Sequence, residues 1–129
     1  MSNRTISLVG KVSAGSTKVL VSRRLGFPFV IERLVSNFAL NQNRAVQISF
    51  FLSYDKETPA SGEPGGVNLL QQVSSQSYCV GDDDSKTFRT NIKAEDWPTW
   101  LKIYAVNSDG FDHDIDCQIL LDVLSESEA

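Results

Sequence analysis

The sequence predicts a single all-β domain in which about eight short antiparallel strands form a two-sheet sandwich. Two observations lead to this prediction. Apolar residues recur at every second position along most of the chain, and clusters of Gly, Asn, Asp, Ser and Pro interrupt that alternation at short intervals. The length of 129 residues is that of one ordinary domain.

The alternation is clearest in residues 45–54 and 115–124. In each segment one face is apolar and the other is mainly polar, as expected of a sheet with one face in the core. The predicted core residues are Val46, Ile48, Phe50, Leu52 and Tyr54 in the first segment and Ile115, Cys117, Ile119, Leu121 and Val123 in the second.

Six further segments are predicted to be strands: residues 4–12, 17–24, 30–40, 76–80, 86–93 and 99–107. Val19 and Val21 are in step in the second strand, and Val30, Leu34, Phe38 and Leu40 are in step in the third. In residues 99–107, Leu101, Ile103 and Ala105 are predicted to face inward, with Trp100, Lys102 and Tyr104 on the opposite face.

One long aperiodic stretch separates the fourth strand from the fifth. Residues 55–67 contain two prolines and three glycines, and they predict a long mobile loop. A long connection at this point is typical of an eight-stranded jelly roll, whose first and last strands pair. The alternative is an immunoglobulin-like sandwich, although its buried Trp and Cys spacing is absent. The domain is predicted to span residues 1–124, followed by a polar tail at 125–129.

Charge is distributed unevenly along the chain, which has a net charge of -4. Residues 1–54 contain seven basic residues and one acidic residue, a net charge of +6, whereas residues 55–129 contain five basic and fifteen acidic residues, a net charge of -10. Either the charges intermix across neighbouring strands, or the molecule is dipolar and its positive face meets the negative face of a neighbour. The acidic balance argues against nucleic-acid binding.

The N-terminal residues and the lengths of the apolar runs lead to an expectation about location, and the two cysteines are interpreted separately. The first residues lack an apolar segment of signal-peptide length, and no apolar run is long enough to span a bilayer. We therefore expect no membrane association, and a virion or cytoplasmic location. Cys79 and Cys117 are interpreted as small buried hydrophobes, with a single bridge as the alternative.

Catalytic signatures are missing from the sequence. The single histidine, His113, lies between Asp112 and Asp114 and is interpreted as a solvated turn residue rather than a general base or metal ligand. No nucleophile elbow, zinc motif, phosphate-binding loop or dinucleotide glycine pattern is present. We predict a protein that is not an enzyme and has no cofactor. A metal-dependent jelly-roll enzyme would need several His ligands.

Two features raise the alternative of a carbohydrate-binding module assisted by calcium. Acidic loops at residues 82–84 and 109–114 supply oxygen ligands, although turn formation explains the same residues. Four aromatic residues near the seventh strand and its following turn are the candidate ligand-binding residues, with core or subunit packing as the other interpretation. They are Trp97, Trp100, Tyr104 and Phe111.

The segments "FVIERLVSNFALNQNRAVQISFFLSYD" and "WLKIYAVNSDGFDHDIDCQILLDVL" resemble the small single jelly-roll structural proteins of virus and phage particles. The resemblance is one of architecture and transfers no functional residue. It implies a capsid-decoration, tail or other structural role, usually as a homo-oligomer docked on a larger assembly. Phe51 and Leu120, which interrupt the alternation of their strands, are the candidate interface residues.

Overall fold

The computed structural model describes residues 2–59, 62–96 and 98–124. Eight strands and one short helix follow one another along the chain: β1 (Ser2–Val12), β2 (Thr17–Val21), β3 (Phe29–Phe38), β4 (Val46–Ser53), β5 (Val67–Asn68), α1 (Leu69–Val73), β6 (Asp84–Ala94), β7 (Trp100–Asn107) and β8 (His113–Val123). Within these ranges, no helix has the length and apolar character needed to cross a membrane.

The strands form two four-stranded antiparallel sheets. Sheet 1 has the order β1-β8-β3-β6, and sheet 2 has the order β2-β7-β4-β5. The first and last strands pair over their full lengths, from Ser2 opposite Val123 to Val12 opposite His113. This arrangement, in which the first and last strands are neighbours and the chain crosses repeatedly between the sheets, is that of a jelly roll. The predicted fold class is confirmed.

The core lies between the sheets and is built from the alternating apolar residues of both. Phe29, Phe50, Ile103 and Ile119 are completely shielded from solvent. Burying each such side chain stabilises the fold by about 1.5–3 kcal/mol relative to leaving it exposed. The helix α1 adds Leu69 to the same cluster, while the side chain of Asn68 caps its N-terminus.

The third strand contains a β-bulge that reverses which residues face the core. Its register against both neighbouring strands shifts between Ile31 and Arg33. Before the bulge, Ile31 faces inward and Val30 lies on the outer surface, whereas after it Leu34 faces inward. The prediction that Val30 shares a face with Leu34 is therefore wrong. Side chains alternate between the two faces of a strand, so one inserted residue moves every later side chain to the opposite face. Leu120 lies opposite Arg33 on the outer face, where it is half-buried.

The fifth strand was predicted at residues 76–80 but lies at β5, where Val67 pairs with Leu52. Within the predicted segment, Cys79 forms only an isolated bridge with Ile48. Gly66 explains why the chain pairs with β4 at Val67, earlier in the sequence than predicted. It has a φ of 125°, and a Cβ there would collide with the carbonyl oxygen of Leu52. Only glycine allows the backbone to come this close to β4.

The second strand also differs from its prediction. Leu20, rather than Val19 or Val21, faces the core, because it pairs with the inward-facing Ile103. Val19 pairs with Tyr104 on the outer face of sheet 2 and is nevertheless buried. This outer face is thus covered, which distinguishes it from the outer face of sheet 1.

Candidate functional site at the loop end

Four connections meet at one end of the sandwich, which we call the loop end: residues 13–16, 39–45, 80–83 and 108–112. Backbone hydrogen bonds join them in pairs. Gly15 N–H donates to the carbonyl oxygen of Asp109 at 3.0 Å, and Arg44 N–H donates to that of Gly81 at 3.1 Å. Segments distant in the sequence are therefore held together at this end.

Asn107 is the polar centre of the loop end and is 1% exposed. Its Nδ2 donates to the carbonyl oxygens of Val12 and Ser13, each at 3.3 Å, and to that of Phe111 at 2.8 Å. Its Oδ1 accepts a hydrogen bond from Asp109 N–H at 2.9 Å. One buried side chain thus fixes both the β1–β2 and the β7–β8 connections.

A cleft opens at the loop end beside these connections. Two large apolar side chains in its lining are exposed: Phe111, 74% exposed, and Leu40, 65% exposed. The full lining consists of Lys11, Ala39, Leu40, Asn41, Gln42, Asn43, Asp109, Phe111, Asp112, His113 and Asp114. A pair of apolar residues with a polar and charged rim is the usual anatomy of a contact surface.

Gln42 lies in the lining of this cleft and is 1% exposed. Its Nε2 donates to the backbone carbonyl of Asp114 at 2.9 Å, but its Oε1 has no hydrogen-bond donor in the structure. A buried acceptor without a donor costs about 1–3 kcal/mol. The loop that carries it also holds three non-glycine residues at positive φ: Asn41, Asn43 and Arg44.

His113 is the first residue of β8, and only 10% of its side chain is exposed, so the prediction of a solvated turn histidine is wrong. Its Nε2 lies 2.8 Å from Oδ2 of Asp109 rather than near either of its sequence neighbours. The hydrogen bond with His113, followed by that from Gly110 N–H, lowers the pKa of the Asp109 carboxyl. In this arrangement, Asp109 fastens the turn to β8.

Three further acidic side chains at or beside the loop end are used in turn formation. Oδ1 of Asp112 accepts from Ala14 N–H at 2.9 Å, and Oδ1 of Asp82 accepts from Asn43 N–H at 3.2 Å. Asp84 caps its own turn and pairs with a lysine. Among the described residues, no group of three or more His, Cys, Asp or Glu side chains converges in a way that would hold a metal ion.

Three of the four predicted aromatic residues belong to the described part of the chain. Trp100 and Tyr104 share the outer face of sheet 2, where both are half-buried. Phe111 lies beyond the end of β7 that is opposite Trp100, and the length of that strand alone is about 23 Å. Trp97 lies outside the described residues.

A segment that we call the strap, residues 54–59, crosses the outer face of sheet 2. Near its start, the Asp55 carboxylate is 2.6 Å from Nζ of Lys102. At its other end, Thr58 and Pro59 line a cavity with Thr17–Val19 of β2. The Lys102 side chain is 0% exposed, and its hydrogen bond lowers the pKa of Asp55.

Phe51 pairs with Lys102 in the register of sheet 2 and is 3% exposed. The prediction of Phe51 as a surface interface residue is therefore wrong. Its side chain lies on the outer face of sheet 2, which the strap crosses. The sequence offers no local signal of this burial, since the covering depends on how the following loop folds back.

Cys79 and Cys117 are free thiols buried near each other, on either side of Ser36. Burial is the main cause that raises the pKa of each thiol to about 12. Sγ of Cys117 also lies 3.6 Å from the Ser36 hydroxyl. The interpretation of both residues as small buried hydrophobes fits this environment, and neither thiol is available as a nucleophile near neutral pH.

No known protein family model matches the chain, and no curated protein has a significantly similar sequence. Two solved structures of infectious bursal disease virus are similar in architecture. The Gx strain structure has a TM-score of 0.45 and 13% identity, and the Gt strain structure has a TM-score of 0.42 and 11% identity. Each match covers 98% of this chain but only 34% and 33% of the virus chains. Both are virus structures, which is the class of protein that the sequence resembles.

Proposed function

We propose that this chain is a non-enzymatic structural protein of a virus or phage particle, in a capsid-decoration or tail role, and that it self-associates. The observation that carries the proposal is the exposed pair Phe111 and Leu40 at the loop end, set within a polar rim. Exposed aromatic residues at the centre of such surfaces supply much of the binding energy of interfaces. The described residues bring together no metal cluster, and the single histidine is engaged with Asp109.

The experiment is sedimentation velocity on the wild-type chain and on the variant Phe111→Ser over a wide concentration range. Wild type is expected to form oligomers, and the variant is expected to dissociate with unchanged thermal stability, because most of the Phe111 side chain contacts solvent. Tyr54→Ser is the matched control, since Tyr54 is also exposed, at 58%, but lies in the strap. A wild-type chain that stays monomeric at high concentration contradicts self-association.

Carbohydrate binding is a second candidate, favoured by the position of Trp100 and Tyr104 on one sheet face with part of each side chain exposed. Such aromatic residues can stack on sugar rings. Trp100→Ala and Tyr104→Ala would then abolish glycan binding without unfolding the domain. A glycan screen without hits, both with and without calcium, rules this candidate out.

A further inference from the structure

Two long strands form the edges of sheet 1. In the order β1-β8-β3-β6, the strands β1 and β6 have 11 residues each, and no described strand lies beyond either of them. The edge strands of sheet 2 are shorter, with five residues in β2 and two in β5. The free side of an edge strand presents backbone N–H and C=O groups that can pair with another strand. Sheet 1 therefore has two long edges to which a further strand can add.

The two long edges differ in charge. Three cationic residues are spaced along β6: Lys86, Arg89 and Lys93. Charged side chains on an edge, lysine above all, oppose the addition of a strand. In β1, by contrast, residues 5–10 are uncharged, and they include Ile6 and Val9, whose branched side chains favour strands. The edge of β1 is therefore the one that is open to a further strand.

Apolar side chains of β1 remain in contact with solvent beside this edge. Val9 is 68% exposed on the outer face of sheet 1, and Ile6 packs against the core but is only partly buried. A groove of about 490 Å³ opens beside the same edge, lined by residues 5–8 of β1 and residues 21–23 at the end of β2. A strand that pairs with β1 would lie in this groove and cover more of both side chains.

We infer that β1 pairs with β1 of a second copy, antiparallel and about a twofold axis at Ser7. This inference rests on the proposed self-association and adds a contact that is separate from the loop end. Ser7 is the midpoint of Ser2–Val12, so an axis there pairs the strand over its full length. Closed twofold contacts are the commonest in soluble oligomers. The two four-stranded sheets would then form one continuous sheet.

The residues that this axis places opposite each other are complementary. Thr5 faces Val9 of the second copy on the outer side of the sheet. Ile6 faces Leu8 of the second copy on the core side. Cross-strand pairs of β-branched and apolar residues stabilise a sheet. At the axis itself, the small side chain of Ser7 faces its own copy without a clash of charge.

Pairing through β6 lacks this complementarity. The midpoint of β6 is Arg89, so the same full-length pairing of two β6 strands places two arginines directly opposite each other. Like charges in that position are destabilising. A dimer through β1 leaves β6 at both edges of the joined sheet, where the cationic residues oppose further growth. Strand pairing of this kind therefore stops at two copies.

The charged ends of β1 also fit the twofold pairing. Lys11 falls opposite Asn3 of the second copy, and Asn3 is paired in turn with Asp122 of β8. The backbones of Lys11 and Asp122 are then two strand spacings apart, about 10 Å, a distance at which opposite charges still attract at 0.1 M salt. The two Lys11 residues of the dimer are about 27 Å apart along the strands and do not oppose each other.

Charges introduced at the axis test the inference. Ser7 is exposed on the outer side of β1, so Ser7→Lys and Ser7→Asp leave the core of each copy unchanged. In the dimer each variant places two like charges directly opposite, and the dimer is expected to form on the order of tenfold more weakly than in wild type. Thr87→Lys, at an exposed position of β6, is the matched control. Thermal unfolding checks that all three variants fold as wild type does.

The decisive measurement is sedimentation velocity on the two Ser7 variants mixed in equal amounts. The lysine of one variant then faces the aspartate of the other, and association is expected to recover to at least the wild-type level. Recovery requires that residue 7 of one copy faces residue 7 of the other. Phe111→Ser is expected to leave the dimer intact, because Phe111 lies outside β1.

Three results would overturn the inference while the proposed function stands, provided that wild type associates. The Ser7 variants may associate as strongly as the control, which would leave the edge of β1 to a strand of another protein. The mixture of Ser7 variants may stay as weak as each variant alone. Phe111→Ser may sediment as a monomer. If wild type itself is monomeric at high concentration, both the inference and the proposed self-association are wrong.

Discussion

Replacement of Asn107 by alanine tests whether the loop end is held together by one buried side chain. The variant loses the hydrogen bonds to the Phe111 carbonyl, at 2.8 Å, and from Asp109 N–H, at 2.9 Å. It also loses two longer bonds of 3.3 Å to the carbonyls of Val12 and Ser13, which together count as about one bond of ordinary strength. At about 1 kcal/mol for each buried hydrogen bond, the expected loss is about 3 kcal/mol in the free energy of unfolding.

Urea denaturation monitored by tryptophan fluorescence measures this loss. The slope of the free energy of unfolding against urea concentration should not change, because the variant buries nearly the same surface. For a chain of this size, the melting temperature should fall by about 12 °C. Asn107→Asp should cost at least as much as alanine, because a carboxylate brings no donor to the carbonyl oxygens that surround it. Asn91→Ala, at an exposed position of β6, is the control and should change stability by less than about 0.5 kcal/mol. A loss for Asn107→Ala equal to that of the control would refute the central role of Asn107.

Three further predictions concern buried polar groups. Asp55→Asn should destabilise the fold more than Lys102→Met does in urea denaturation, because asparagine leaves a buried ammonium group without its carboxylate, whereas methionine removes that charge. A pH titration of stability should show the effect of the same ion pair. The hydrogen bond with Lys102 holds the folded-state pKa of Asp55 below its usual value of 3.8, so the unfolded chain takes up the proton first as the pH falls. Wild type should therefore lose the stability contributed by this pair below about pH 4, and Asp55→Asn should lack that contribution to the loss. Both cysteines should resist iodoacetamide at pH 8 in the native protein and react in urea, as measured by mass spectrometry, since burial raises the pKa of each thiol to about 12. Rapid labelling of the native protein would contradict that.

The strands that the sequence predicts well are those in which most large apolar residues occupy one parity. In β8, Ile115 and Ile119 belong to the apolar parity and Leu120 is the exception at the other, so one assignment of faces is much more favourable than the other. The start of β3 has apolar residues at both parities, in Phe29, Val30 and Ile31. A period of two cannot choose between these faces, and the bulge that decides the choice depends on the neighbouring strands.

The two buried polar residues of the loop end, Gln42 and Asn107, were not predicted for a related reason. The hydrogen bond from Gln42 to Asp114 spans 72 residues of sequence, and that from Asn107 to Val12 spans 95. In the sequence both residues are ordinary polar side chains beside turns. Their importance arises only when the jelly-roll topology brings the connections to one end, so a local pattern could not identify them.

Under the proposed self-association, the difference between the two outer faces limits where copies of this protein can meet. On sheet 2 the outer-face residues Val19, Phe51 and Lys102 are buried, and the strap occupies the space that a partner would use. On sheet 1, by contrast, each outer-face side chain that the structure describes retains solvent exposure, and Val9 is 68% exposed. A partner that docked on sheet 2 would first have to displace the strap and break the contact between Asp55 and Lys102, leaving a buried charge unpaired. Association through the ends of the sandwich, or through the open face of sheet 1, requires no such rearrangement. Of these surfaces the loop end carries the exposed side chains of Phe111 and Leu40, and for this reason the proposed assembly is expected to depend on it.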